Sequence, residues 1–346
     1  MRLSRPAAAT FAGLSALALA ACASSGDDAA QESGSSNASS ASFPVVIEHA
    51  FGETTIEAAP ERVATVGWSN QEVALAFDIV PVVMEEATWG DDDGDGVLPW
   101  VEAKLEDLGA ETPALYDGTD GIDFEAIADA DPDVILSAYS GLSEDDYATL
   151  SEIAPVVAFP GVAWGTSWQD TILMDGAGLG FEAEAEELVA EEEAAITEAV
   201  AGYEHLGAGQ GAAFAFFDVT DLSSVGFYST ADPRTAFLSE FAGFEVPQAV
   251  ADPGTDEFYF SVSAEAVDTL SDLDVIVTYG TGEELAALQA DPLLSRIPAI
   301  ASGAVVFLDV DTDPSTTAAA NPSPLAIDHL IEHYLPLLDE AAATAS

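Results

Sequence analysis

The sequence predicts two α/β lobes bridged by a single long helix, with a ligand cleft between the lobes. Three observations lead there. Short apolar, β-branched runs alternate with helical patterns, as in βα units built on a largely parallel sheet. The runs fall into two sets that repeat one another in order. Between the sets lies one Pro-free stretch dense in Glu and Ala.

In chain order, Met1–Arg5 carries Arg2 and Arg5, and the apolar run Ala7 to Ala21 follows. Basic residues ahead of a short apolar run mark an export signal. The run is shorter than the roughly 20 residues that a membrane span needs. It ends Leu19-Ala20-Ala21-Cys22, which resembles the lipobox of bacterial lipoproteins, so residues 1–21 are expected to be removed and Cys22 to carry the lipid. Cys22 is the single cysteine, leaving no thiol for a disulfide or a thiolate-bound metal. Residues 22–43 are rich in Ser, Ala and Gly and form the expected flexible tether. A first α/β lobe is expected over 44–181, with strands at Arg62–Gly67, Val80–Met84, Asp133–Ala138 and Val156–Phe159. The bridging helix is expected over 182–206, where apolar Leu188, Val189, Ile196 and Val200 recur among acids. A second lobe follows over 207–346, with strands at Ala212–Asp218, Val225–Tyr228, Asp274–Tyr279 and Ala304–Leu308.

The internal repeat supports two Rossmann-like lobes of one design. Glu125-Ala126-Ile127, then Asp133-Val134-Ile135-Leu136 and Tyr139, is matched by Glu265-Ala266-Val267, then Asp274-Val275-Ile276-Val277 and Tyr279. Leu150-Ser151-Glu152-Ile153 before Val156-Val157 is matched by Leu294-Ser295-Arg296-Ile297 before Val305-Val306.

Charge narrows the function. The net charge is −57; without the signal only Arg62, Lys104, Arg234 and Arg296 stand against 63 acidic residues. Such a chain cannot displace phosphate counterions, which excludes nucleic-acid binding. It also disfavours direct docking on anionic lipid. The acidity itself fits a salty environment, where screening relieves self-repulsion. Neither G-x-S-x-G, a phosphate loop nor a catalytic triad is found, so no enzyme is expected.

The stretch from His49 to Met84 contains His-x-x-Gly-x-x-x-Ile, Pro60-Glu61-Arg62-Val63 and Trp68-Ser69-Asn70-Gln71-Glu72. With Asp131-Pro132-Asp133-Val134-Ile135 and Ser323-Pro324-Leu325, it resembles the iron-siderophore and cobalamin class of periplasmic binding proteins. The resemblance spans nearly all of 44–340. It implies a monomeric, lipid-anchored receptor on the outer face of the cytoplasmic membrane, which binds a ferric siderophore without a cofactor. The receptor would open and close only slightly and would deliver cargo to an ABC permease with its ATPase. Haem or cobalamin is the alternative cargo. A calcium-binding or scaffolding surface protein is the alternative of a different class.

Ligands of open α/β sheets bind beyond the carboxyl ends of the strands. Reading past those ends gives Trp68, Trp89, Tyr139, Trp164, Trp168, Tyr228 and Tyr279 as candidate walls, each of which could instead cover core. Arg234 is the candidate anion contact, and its loss is expected to leave ligand-free stability nearly unchanged. Arg62, at the first strand, reads as structural. Glu125 and Glu265, after the N-caps Asp123 and Ser263, either favour the helix dipole or, as the resemblance implies, dock on permease arginines. Asp91, Asp93, Asp95 and Glu102 match a calcium-loop spacing, although no entering helix precedes them. His329 and His333 sit four apart without an evident third ligand.

Overall fold

The computed structural model describes residues 42–254 and 258–346. The expected export signal, Cys22 and nearly all of the tether lie outside the described residues. The described chain opens with an antiparallel hairpin, β1 (Val45–His49) and β2 (Gly52–Ile56), packed by Ile47 and Ile56 onto the first lobe.

The first lobe is built on β3 (Val63–Thr65), β4 (Val83–Glu85), β5 (Ala114–Tyr116), β6 (Val134–Ser137) and β7 (Val156–Ala158). All pairings are parallel, in the order β5-β4-β3-β6-β7. Strands β3, β6 and β7 are buried along their whole length, as expected of strands covered on both faces. The covering helices are α1 (Asn70–Ala76), α2 (Pro99–Leu108), α3 (Phe124–Asp129), α4 (Glu144–Ser151) and α5 (Trp168–Leu179). The expected strand Val80–Met84 begins only at Val83, because Pro81 lacks the N–H a ladder needs.

The bridging helix α6 (Glu182–Val200) runs 19 residues, about 28 Å, and buries Ala185 and Ile196. It stops short of the expected end, and residues 201–206 follow as turn and loop.

The second lobe carries β8 (Ala212–Phe216), β9 (Ser224–Tyr228), β10 (Tyr259–Ser263), β11 (Val275–Tyr279) and β12 (Val305–Leu308), in the order β10-β9-β8-β11-β12. The repeat is therefore real for half of each sheet. β8, β11 and β12 are parallel neighbours, as are β3, β6 and β7. The other half diverges, since β9 and β10 pair antiparallel. Helix α7 (Pro233–Glu240) follows β9, with Asp232 as its N-cap and Pro233 at its first position.

The lobes share a core. One buried cluster joins Leu98, Trp100 and Val101 of the first lobe to Ala318, Ile327 and Leu330 of the second. Glu72 on α1 ties the same seam with polar bonds: it accepts from the Trp100 indole N–H at 2.8 Å and from the Leu325 amide at 3.0 Å. Opening the cleft would tear a close-packed seam, which limits the lobes to small movements.

Burial pushes the Glu72 carboxyl up to about 7, against the opposing pull of its donors. The folded state therefore holds a proton that the unfolded chain releases near pH 4.5. This contribution is fully present below that pH, is lost as pH rises towards 7, and amounts to about 3 kcal/mol. Denaturant unfolding at about pH 5 and pH 7.5 should show that loss, and Glu72→Gln should flatten it. An equal slope in both proteins would remove Glu72 as its source.

Candidate ligand-binding cleft

Sheet order positions the site. In the first lobe the chain turns outward on either side of β3 and β6, the switch point where a crevice forms at the strand ends. Past β3 come Gly67 and Trp68, past β4 the loop Glu86–Trp89, past β6 Tyr139, and past β7 Trp164. The second lobe supplies Arg234 after β9, Phe258 before β10, Tyr279 at the end of β11 and Asn321 after β12. Together they enclose about 460 Å³ between the lobes, within the range of small-molecule sites.

The walls are aromatic and interlocked across the cleft. Trp89 meets Tyr279 edge-on at 5.4 Å, joining the two lobes. Tyr139 meets Trp164 edge-on at 5.6 Å. Trp89 and Trp164 remain 38% and 41% exposed, so rings of large apolar area face the opening. Two glycines allow these positions. Gly90, at φ +83°, backs onto Ala318, into which any Cβ would collide. Gly141 lies under the Trp164 indole, which would likewise overlap a Cβ there. Trp164 itself adopts φ +61°, held by its amide donating to the Ser140 carbonyl at 2.9 Å.

Several of the cleft's polar groups are held in place by their neighbours. The Tyr139 hydroxyl accepts from Asn321 Nδ2 at 3.1 Å, a second tie between the lobes. The Asn70 side chain bonds both the amide and the carbonyl of Tyr139 and so fixes the loop that carries it. Arg234 is held on all sides. Its Nε and one Nη donate to the two oxygens of Asp232 at 2.9 and 2.5 Å, and its other Nη donates to the Tyr279 hydroxyl at 3.0 Å. Its guanidinium carbon sits 4.1 Å from the Tyr228 ring centroid and 5.0 Å from that of Phe214. Burial alone would lower the guanidinium, but Asp232 and Tyr279 reverse this and hold it firmly cationic.

Of the expected wall residues, Trp68, Trp89, Tyr139, Trp164, Arg234 and Tyr279 converge on the cleft. Tyr228 stands behind Arg234 as a stacking support rather than at the lining. Trp168 does not reach the cleft: it is the first residue of α5, buried, with its ring 5.8 Å from Phe241. Sequence reasoning missed Asp232, Glu85, Glu86, Phe258 and Asn321. The Asp-Pro-Arg run was a readable signal for Asp232, since Asp before Pro at a helix start is a favoured cap.

The other candidates lie elsewhere. Asp91, Asp93 and Asp95 bring carboxylate oxygens within 4.8 Å of one another, and Asp91 accepts the amides of Asp93, Gly94 and Gly96. Glu102, on α2, is not one of that trio, and its carboxyl is pushed up chiefly by the neighbouring charge of Asp95. Glu125 and Glu265 are both exposed. Asp123 caps α3, while Ser263 caps a 3₁₀ turn, Ala264–Leu270, where an α-helix was expected. The rings of His329 and His333 are 4.3 Å apart, with His329 packed beside Trp100. Arg62 donates to the carbonyls of Ala130 and Asp131, a structural role as expected.

Two α/β lobes bridged by one helix, with an aromatic cleft between their strand ends, define a bilobal solute-binding protein. The chain belongs to the periplasmic binding protein family, whose sequence profile matches residues 63–312. Among solved structures it is similar to PiaA of Streptococcus pneumoniae in complex with ferrichrome, with 40% identity and a TM-score of 0.82 over 87% of this chain and 100% of that one. It is also similar to a periplasmic solute binding protein of Mycobacterium smegmatis, at 27% identity and a TM-score of 0.67, covering 86% of this chain and 99% of that one. SirA of Staphylococcus aureus, complexed with staphyloferrin B, shares the fold at 20% identity and a TM-score of 0.60, over 83% and 97% of the two chains. No match was found among curated protein sequences.

Proposed function

We propose that this protein is the extracytoplasmic receptor of an ABC importer, that it captures a ferric siderophore in the cleft, and that it delivers the chelate to a permease driven by its ATPase. The observation that carries this reading is the cleft itself: large aromatic faces from both lobes, interspersed with polar groups, suit a bulky, partly apolar chelate. The 40% identity to PiaA, bound to ferrichrome, supports the same cargo class. Trp68, Trp89, Tyr139, Trp164 and Tyr279 are the proposed walls, and Arg234 the proposed polar contact.

A fluorescence titration tests it. Three of the five tryptophans line the cleft, so ferrichrome should quench emission saturably, whereas haem and cobalamin should not. Saturable quenching by haem or cobalamin alone would replace the siderophore with that cargo. No response to any chelate, together with binding of calcium, would favour the surface-protein reading.

Anchoring by a lipid on Cys22, after removal of residues 1–21, completes the proposal, with residues 22–43 as the tether. Cys22→Ser should release the protein from the membrane fraction in soluble form. A variant that stays membrane-bound and acylated would contradict the anchor.

A further inference from the structure

Resting on the siderophore reading, we propose that the cleft selects its cargo by charge: Glu85 and Glu86 fit it to neutral or cationic ferric hydroxamates and set it against anionic catecholate or carboxylate chelates. Among the described residues lining the cleft, the charged side chains are Glu85, Glu86 and Arg234. Arg234 brings no net positive charge, because Asp232 lies against it at 2.5 Å and is itself fully buried. Glu85 accepts only neutral donors among the described residues, the Gly67 amide at 3.1 Å and the Tyr116 hydroxyl at 3.4 Å. Glu86 is exposed beside them. Neither forms an ion pair among the described residues.

The other Lys and Arg side chains among the described residues are committed elsewhere. Lys104 pairs with Asp78, Arg296 with Asp268, and Arg62 binds backbone carbonyls. The cleft is therefore acidic, between low-dielectric aromatic walls that strengthen the field. Three hydroxamates balance the charge of ferric iron and leave a neutral chelate. Three catecholates leave it triply anionic, and that charge would face both carboxylates. A pendant ammonium on a hydroxamate chelate would instead meet Glu86 and the faces of the tryptophans.

Calorimetric titration of the purified protein tests this with three probes: ferrichrome, a ferric trihydroxamate bearing one ammonium, and a triply anionic ferric tris-catecholate. Both hydroxamates should bind, and the catecholate should bind at least about 100-fold more weakly at low salt, with the gap narrowing as salt rises. Glu86→Gln should raise the catecholate-to-cationic affinity ratio by about tenfold. Equal affinities for all three chelates would overturn charge selection while leaving the siderophore reading intact, as would a ratio indifferent to both salt and Glu86→Gln. Failure of all three to bind would overturn both.

Discussion

Replacing Arg234 by alanine is expected to destabilise the ligand-free protein by about 3–5 kcal/mol. The reason is Asp232, which is fully buried and receives two of the guanidinium bonds. Removing the arginine leaves that carboxylate without its counter-charge, in a place water does not reach. The structure thus revises the expectation that Arg234 matters only to the ligand. Chelate affinity should fall as well, by about 1.5–3 kcal/mol, the scale of a lost charged hydrogen bond. Pairing Arg234→Met with Asp232→Asn should restore most of the stability, because the orphaned charge is gone, and little of the affinity. Denaturant unfolding and titration of both variants separate the two effects. A single variant as stable as the parent would mean that Asp232 finds another partner or a proton at small cost.

Reversing Glu125 and Glu265 together to lysine is expected to abolish uptake by the cognate permease while leaving chelate affinity in solution unaltered. Both carboxylates are exposed at the start of a helical turn, one in each lobe, at equivalent points of the repeat. Carboxylate–arginine pairs desolvated at an interface cost several kcal/mol when one partner is lost, and a reversed charge adds repulsion. Both residues precede β6 and β11, whereas the cleft lies past the strand ends. Transport of radiolabelled iron chelate into cells carrying the double variant measures the effect. Normal uptake would return both acids to helix capping.

Much of this architecture was legible because its signals are local. The strands β6, β7, β11 and β12 are short, predominantly apolar runs, and residues at or just beyond strand ends face the cleft by geometry, so Trp68, Trp89, Tyr139, Trp164 and Tyr279 could be read forward. What escaped depends on tertiary context. β5 is three residues behind Pro113, too short to show a period. β10 alternates Tyr-Phe-Ser-Val-Ser with Phe260 buried, the pattern of a half-exposed antiparallel strand rather than a buried parallel one. Trp168 follows a strand as the others do, yet α5 begins at that residue and turns its ring inward onto Phe241. Asn321 escaped because its partner, Tyr139, is far away in the chain and meets it only across the lobes. Asp232 had a local signal, but its pairing with a buried, stacked guanidinium shows only in the folded cleft.

A ferric chelate is expected to sit between the lobes. Crystals of the protein grown with ferrichrome, measured at the iron absorption edge, test it most directly. One strong anomalous peak is expected inside the cleft, bounded by Trp68, Trp89, Tyr139 and Trp164 and within reach of Arg234. A peak at Asp91, Asp93 and Asp95 instead, or ferrichrome-saturated crystals with the cleft free of iron, would contradict it.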